Sequence, residues 1–384
     1  MTAPIPAHLI EKLISFDTVS RNSNMALLDF VRDYLSKLGV EAKLVPNEDG
    51  SKANLYATIG PNEPGGVVLS GHTDVVPVDG QNWTTDPFTL VEKNGKYFGR
   101  GVADMKTYCA LAMGILPDFL ASKPSKPIHL AFSYDEEIGC VGAPSMIKKM
   151  ADEVPSPMAV IVGEPTDMQV VTGHKSILGV NTHVVGHSVH SCQWDRGVSA
   201  VMTAARLINW LEETMLENRR LADPKSPFDP PFSTLHCGVI EGGTASNIVA
   251  KDCVFSTDIR TIAGEDPLQF YRSFEAYIRD EIEPVMQGIA PDAKVMLSRG
   301  DLVPGLVPEN NGGAEQLARQ ITGDNGTHAV SYATEAGQFQ TAGFSAVICG
   351  PGSIDQAHQP DEFITLDQVS QGWNFVQGVA KALQ

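Results

Sequence analysis

The octapeptide Phe132-Ser133-Tyr134-Asp135-Glu136-Glu137-Ile138-Gly139 ends an apolar run in three consecutive acids. A turn after a strand ordinarily carries one Asp, not three carboxylates. Glu136 and Glu137 are neighbours, so in extended backbone they point to opposite sides. One can then bind a cation while the other moves a proton. The plain alternative is a solvated acidic turn, and the octapeptide alone favours it.

Other segments repeat the pattern. Val67-Val68-Leu69-Ser70-Gly71-His72-Thr73-Asp74 is an apolar run that turns polar at its end. His72 and Asp74 stand two apart, so a carboxylate can hold one imidazole nitrogen and leave the other for a metal. Asp104, in Gly99-Arg100-Gly101-Val102-Ala103-Asp104, directly precedes a helical stretch, where a capping role is the simplest alternative. A dinucleotide loop is disfavoured there, because the third glycine is missing and no strand leads into it. Glu164 follows the apolar run 159–162, and His358 lies in the Gly/Pro loop that follows Cys349. Each residue has an innocent reading alone, but several apolar runs ending in His, Asp or Glu form a pattern.

Two His and three carboxylates without Cys (His72, Asp104, Glu137, Glu164, His358) suit zinc, with cobalt or manganese also acceptable. Two ions roughly 4 Å apart can share one carboxylate, which leaves Glu136 over. The chain lacks H-E-x-x-H, the P-loop lysine motif and G-x-S-x-G. Metal-activated water is thus the best nucleophile on offer.

Positioning these residues requires strands with a common polar end. Strands are expected at 41–45, 54–59, 67–70, 128–132 and 159–162, with helices at 25–38, 105–119 and 143–150. Asn24 is expected to cap the first of these helices. The alternation predicts an α/β fold: a mixed, largely parallel sheet with helices on both faces. After Gly173 the texture changes to strands at 177–185, 234–240 and 253–259 with helices at 198–211 and 268–282. From about Ala314 the α/β alternation returns. We therefore expect a discontinuous catalytic domain, 1–175 and 290–384, interrupted by an α+β domain, 176–289, with a four-stranded sheet.

With 384 residues, 42% hydrophobic and 19% charged, the chain can bury two sizeable cores. A net charge of −18 argues against nucleic acid or anionic membranes as partners. The N-terminal residues show no signal-peptide pattern, no apolar run approaches a membrane span, and the six cysteines form no C-x-x-C pair. A cytoplasmic protein with reduced thiols is expected.

The motifs Ser70–Asp74, Gly99–Lys106, Asp135-Glu136-Glu137 and Gly163-Glu164-Pro165-Thr166 resemble, in order and spacing, those of the M20 family of di-zinc aminoacyl hydrolases. The tracts Asp74–Gln81, Thr334–Gly337 and Gly350–Asp361 are most similar to its acetyl-amino-acid deacetylases. Desuccinylase, broad aminoacylase and glutamate-releasing carboxypeptidase branches are the alternatives. A non-catalytic binding homologue would need a degraded base or missing ligands, and neither occurs. The resemblance implies two Zn2+ per subunit, with Co2+ able to substitute. It places His72 and Glu164 on one ion, Glu137 and His358 on the other, and Asp104 between them. Asp74 would orient His72, and Glu136 would be the general base. The inserted domain would be a lid and dimerisation domain, giving a homodimer that acts on a small N-acylated amino acid. By the same resemblance His190 would reach the oxyanion, from its own or the partner subunit, and Asn247, Arg260 and Gly352 would hold substrate. Arg260 is chemically suited to clamp a carboxylate, although Asp258 is a ready alternative partner. Thr107, Tyr108, Cys140 and Cys192 depart from the family pattern.

Overall fold

The computed structural model describes residues 4–384. The chain divides into two compact units: Met1–Gly173 with Leu306–Ala329 and Thr334–Gln384, and His174–Gly305 with Val330–Ala333. In chain order the strands are β1 (Ala42–Pro46), β2 (Ala53–Ile59), β3 (Val67–His72), β4 (Val91–Lys93), β5 (Lys96–Phe98), β6 (Ile128–Ser133), β7 (Ala159–Val162), β8 (Val171–His174), β9 (Ile177–Val185), β10 (Thr234–Gly242), β11 (Asp252–Arg260), β12 (Lys294–Val303), β13 (His328–Val330), β14 (Ala346–Ile348) and β15 (Phe363–Thr365).

An eight-stranded mixed sheet of order β1-β2-β6-β3-β7-β14-β8-β13 organises the first unit. Its middle strands β6, β3, β7 and β14 run parallel to one another. Strands β1 and β2 are antiparallel to their neighbours, as is β8 to β14. Every residue of β3, β6 and β7 is buried, so these strands carry continuous apolar runs rather than alternation. Parallel neighbours end at the same sheet edge. His72 closes β3, Asp135–Glu137 follow β6, Glu164 follows β7, and the loop bearing His358 follows β14. The carboxyl ends of parallel strands are where open α/β sheets collect their functional loops.

Three local details differ from the sequence expectation. The stretch 105–119 is two helices, Lys106–Gly114 and Leu116–Ala121, because Pro117 starts a new helix and cannot continue the old ladder. Asn24 does not cap the helix Met25–Lys37 with its side chain. Its amide instead donates to the Ala53 carbonyl (2.8 Å) and Thr73 Oγ1 (3.0 Å), while its Oδ1 accepts from Ala53 N–H (3.1 Å), bracing β2 against the end of β3. A small three-stranded sheet, β15-β5-β4, joins Phe363 to Phe98 in register and was not expected.

The second unit is built on a four-stranded antiparallel sheet, β10-β11-β9-β12. Burial alternates along β9 and β11: Leu178, Val180, Val184, Cys253, Phe255 and Ile259 face the core. Helices Ala200–Leu221 and Pro267–Tyr277 add Leu207, Leu211 and Phe274 to that core. Both helices are started by side-chain caps: Ser199 Oγ accepts from Met202 N–H at 3.2 Å, and Asp266 Oδ1 from Leu268 N–H at 2.9 Å. The expected inserted segment ended at 289, whereas β12 pairs with β9 and the unit runs to Gly305.

Candidate metal centre

His72 is 1% exposed and fixed at both ring nitrogens. Nδ1 lies 2.9 Å from the backbone carbonyl of Asp74, and Nε2 lies 2.9 Å from Asp104 Oδ1 and 3.6 Å from Glu164 Oε1. The carboxylate of Asp74 is farther from the ring, with Oδ1 3.6 Å from Nδ1. It accepts instead from Ser20 Oγ (2.7 Å), Glu136 N–H (3.2 Å) and Glu137 N–H (3.3 Å). Asp74 thus orients His72 chiefly through its main chain, while its side chain fixes the backbone that carries the two glutamates.

Asp104 sits between the two histidines. Its Oδ1 faces His72, and its Oδ2 lies 3.4 Å from His358 Nε2. His358 Nε2 also approaches Glu137 Oε2 at 3.0 Å. The five residues singled out for cation binding therefore fall into two sets, His72 with Glu164 and His358 with Glu137, joined by one carboxylate. Mutually close donor atoms recur in the groups His72–Asp104–Glu137 and His72–Glu136–Glu164, so Glu136 lies beside the first set as well. The three consecutive acids separate cleanly. Asp135, in a left-handed conformation (φ 55°), pairs with Lys52 Nζ at 2.6 Å, and Glu136 accepts from Cys140 Sγ at 3.1 Å.

The donors fit a pair of divalent cations. Glu164 Oε1 is buried without a hydrogen-bond partner, a costly state that a cation relieves. Burial, with Asp104 nearby, raises the Glu164 carboxyl well above its ordinary value, and burial with Asp104 takes Glu137 up to about 7. Burial raises Glu136 as well, with Glu137 and Asp104 adding to it and His72 opposing. Cations held here would stabilise the ionised carboxylates and reverse these shifts. An all-imidazole-and-carboxylate set suits zinc, cobalt or manganese.

The surrounding packing explains part of the unusual sequence. Tyr108 is buried with its hydroxyl on the Ile161 carbonyl (3.2 Å). A side chain at Gly163 would stand 2.1 Å from the Tyr108 ring, so the glycine before Glu164 makes room for this aromatic. Gly352 is left-handed (φ 94°) and packs against Ala103, next to Asp104. The other residues expected to hold substrate lie in the second unit. His190 bridges Ile248, and its neighbour Ser191 donates to the Asn247 carbonyl (2.9 Å), so His190 and Asn247 share one exposed corner. Arg260 ends β11 paired with Asp258 Oδ2 (2.8 Å) and within reach of the Ser331 carbonyl (3.4 Å). Sequence reasoning missed Glu362, whose Oε1 accepts from the Ala103 and Asp104 amides (2.8 and 3.1 Å). The only available signal was an acid four residues after His358.

The model of peptidase family M20/M25/M40 matches residues 68–382. The chain belongs to that family. As a member it is a metal-binding hydrolase of the peptidase and amidohydrolase kind. An acetylornithine deacetylase from Photorhabdus laumondii is 33% identical over 366 residues, covering 93% of this chain and 92% of its own length. One from Pasteurella multocida is 31% identical over 354 residues, covering 92% and 90%. Among solved structures, an M20 family metallo-carboxypeptidase from Sulfolobus solfataricus superposes with a TM-score of 0.76 at 18% identity, covering 99% of both chains. The last likeness is one of fold.

Proposed function

We propose that this chain hydrolyses N2-acetyl-L-ornithine to L-ornithine and acetate, the last step that would free an amino acid from its acetyl protection in arginine biosynthesis. The observation that carries the reading is Asp104, which offers one oxygen to each of two histidine–glutamate sets, with the carboxylate of Glu136 beside them. Relatives named acetylornithine deacetylase, alike over nine-tenths of their length, support the substrate.

In this reading His72 and Glu164 would hold one zinc ion and Glu137 and His358 the other, with Asp104 shared between the two sets. Bound there, the ions supply Lewis acidity toward the amide carbonyl and a lowered pKa for water. Glu136 accepts a proton from the water as it adds to the carbonyl carbon. The C–N bond then breaks, and Glu136 returns the proton to the departing amine, leaving acetate and the free amino acid. Cys140 and the Asp74-bound amide of Glu136 hold this residue in place. By the family resemblance His190, from its own or the partner subunit, would donate to the developing oxyanion, and Asn247, Arg260 and the Gly352 backbone would bind the amino-acid portion. Arg260 would exchange Asp258 for the substrate carboxylate, a bidentate pairing its guanidinium favours.

The test compares acetylornithine, succinyl-diaminopimelate and acetylmethionine as substrates of zinc-loaded protein. A kcat/KM for acetylornithine at least tenfold above the others supports the assignment. Preference for either competitor moves the chain to a desuccinylase or aminoacylase role.

A further inference from the structure

Arg100 and Glu362, each 1% exposed, form a buried ion pair at 2.8 Å. A buried carboxylate is costly unless its hydrogen-bonding capacity is used. Glu362 meets that condition with the loop that carries Asp104. Its Oε2 accepts from Arg100 and from Gly101 N–H (3.0 Å), and its Oε1 accepts from Ala103 and Asp104 N–H. The carboxylate therefore grips the backbone of Asp104 itself.

On its other side Arg100 leads to Gln81. Arg100 NH2 donates to Gln81 Oε1 at 2.6 Å, and Trp83 Nε1 donates to the same oxygen at 3.0 Å, with the guanidinium 5.0 Å from the Trp83 ring. Two donors on one oxygen fix the amide orientation. Gln81 Nε2 is thereby turned toward the His358 carbonyl, to which it donates at 3.0 Å. His358 is a non-glycine residue in left-handed backbone (φ 63°). That conformation persists only when surrounding contacts impose it, and the Gln81 bond acts on the peptide leaving it. Thr84 N–H and Oγ1, on Asp361 Oδ1 at 2.8 and 3.1 Å, tie the same two loops at a second point. Loss of Gln81 alone would therefore leave the loops attached.

We propose that Gln81 is a positioning residue that sets His358 relative to Asp104 through Arg100 and Glu362. The position that includes His358 is thereby held in register with the shared carboxylate of Asp104. The inference rests on reading His358 and Asp104 as ligands of a metal pair. Partners of ligands commonly govern metal affinity by about 10- to 100-fold.

The experiment is a Co2+ titration, followed by visible absorbance and calorimetry, of chelator-stripped wild type, Gln81→Ala and Gln81→Glu. The glutamate keeps an acceptor for Arg100 and Trp83 but loses the donor to the His358 carbonyl. Wild type should bind two equivalents. Both variants should bind the first equivalent normally and the second at least about tenfold more weakly, and metal-free Gln81→Glu, which keeps the acceptor, should retain the wild-type thermal midpoint. Gln81→Glu binding both equivalents like wild type would overturn the relay and leave the proposed function standing. A wild type that binds fewer than two equivalents would overturn both.

Discussion

At the residue scale the account turns on neighbouring side chains in different work. Glu136 and Glu137 are adjacent, yet Glu137 faces His358 at 3.0 Å while Glu136 receives a thiol hydrogen bond and stands beside the His72 set. Removing the charge of Glu136 with little change of shape should separate binding from chemistry. Glu136→Gln is expected to retain two metal equivalents and lose kcat by about 10²- to 10⁴-fold, measured by metal analysis and ornithine release on one preparation. A variant with near wild-type turnover would remove Glu136 from the mechanism. The five ligand candidates were legible in the sequence because each sits at the end of an apolar strand, in the loop that follows one, or just before a buried helix. The work of Asp74 was only half legible. Sequence spacing showed its nearness to His72, but not that the ring takes its carbonyl while its carboxylate takes the amides of 136 and 137. The work of Gln81 and Glu362 was not legible, because polar residues in loops 281 positions apart give no periodic signal.

At the element scale, the parallel order β6-β3-β7-β14 does the collecting, and its braces are testable. Asn24, 2% exposed, makes three hydrogen bonds to β2 and the end of β3. Asn24→Ala should cost about 2–4 kcal/mol by urea denaturation, since it strands buried donors and acceptors. A loss typical of a helix cap, about 1 kcal/mol, would favour the capping role that the sequence suggested. His129, inside β6, provides a pH test remote from the site. It is fully buried, its Nδ1 shares a hydrogen bond with Thr58 Oγ1 (3.0 Å), and burial takes it down to about 4. A folded pKa below the unfolded value of about 6.5 means its contribution is complete above that value and is lost as pH falls toward 4. Between pH 7 and 5 the loss from this group is about 2 kcal/mol. His129→Gln should lose correspondingly less stability over that interval in urea titrations; an unchanged pH dependence would place the titrating group elsewhere. The short strands β4, β5 and β15 escaped sequence reading because three residues cannot display a period of two.

At the scale of the whole molecule, the second unit leaves β10 as a sheet edge, with Val239 66% and Ile240 51% exposed. An unprotected apolar edge invites pairing with another strand, which supports the homodimer proposed from the family resemblance. Light scattering at micromolar concentration should give twice the 41.2 kDa chain mass, and Val239→Lys should shift it toward monomer. A monomeric wild type would contradict the dimer without touching the chemistry. Among the described residues no helix is long and apolar enough to cross a membrane. The two-unit organisation could be read from the change of texture after Gly173. Its second boundary could not, because β12 is recognised as part of the inserted sheet only by its pairing with β9.

The central claim is that two cations, held jointly through Asp104, are required to cleave an acetyl amide of an amino acid. The most direct measurement is ornithine release from N2-acetyl-L-ornithine by chelator-stripped protein during stepwise return of zinc. We predict no release without metal and full activity at two equivalents per chain. Undiminished hydrolysis by the stripped protein, or no hydrolysis at two bound equivalents, would contradict it.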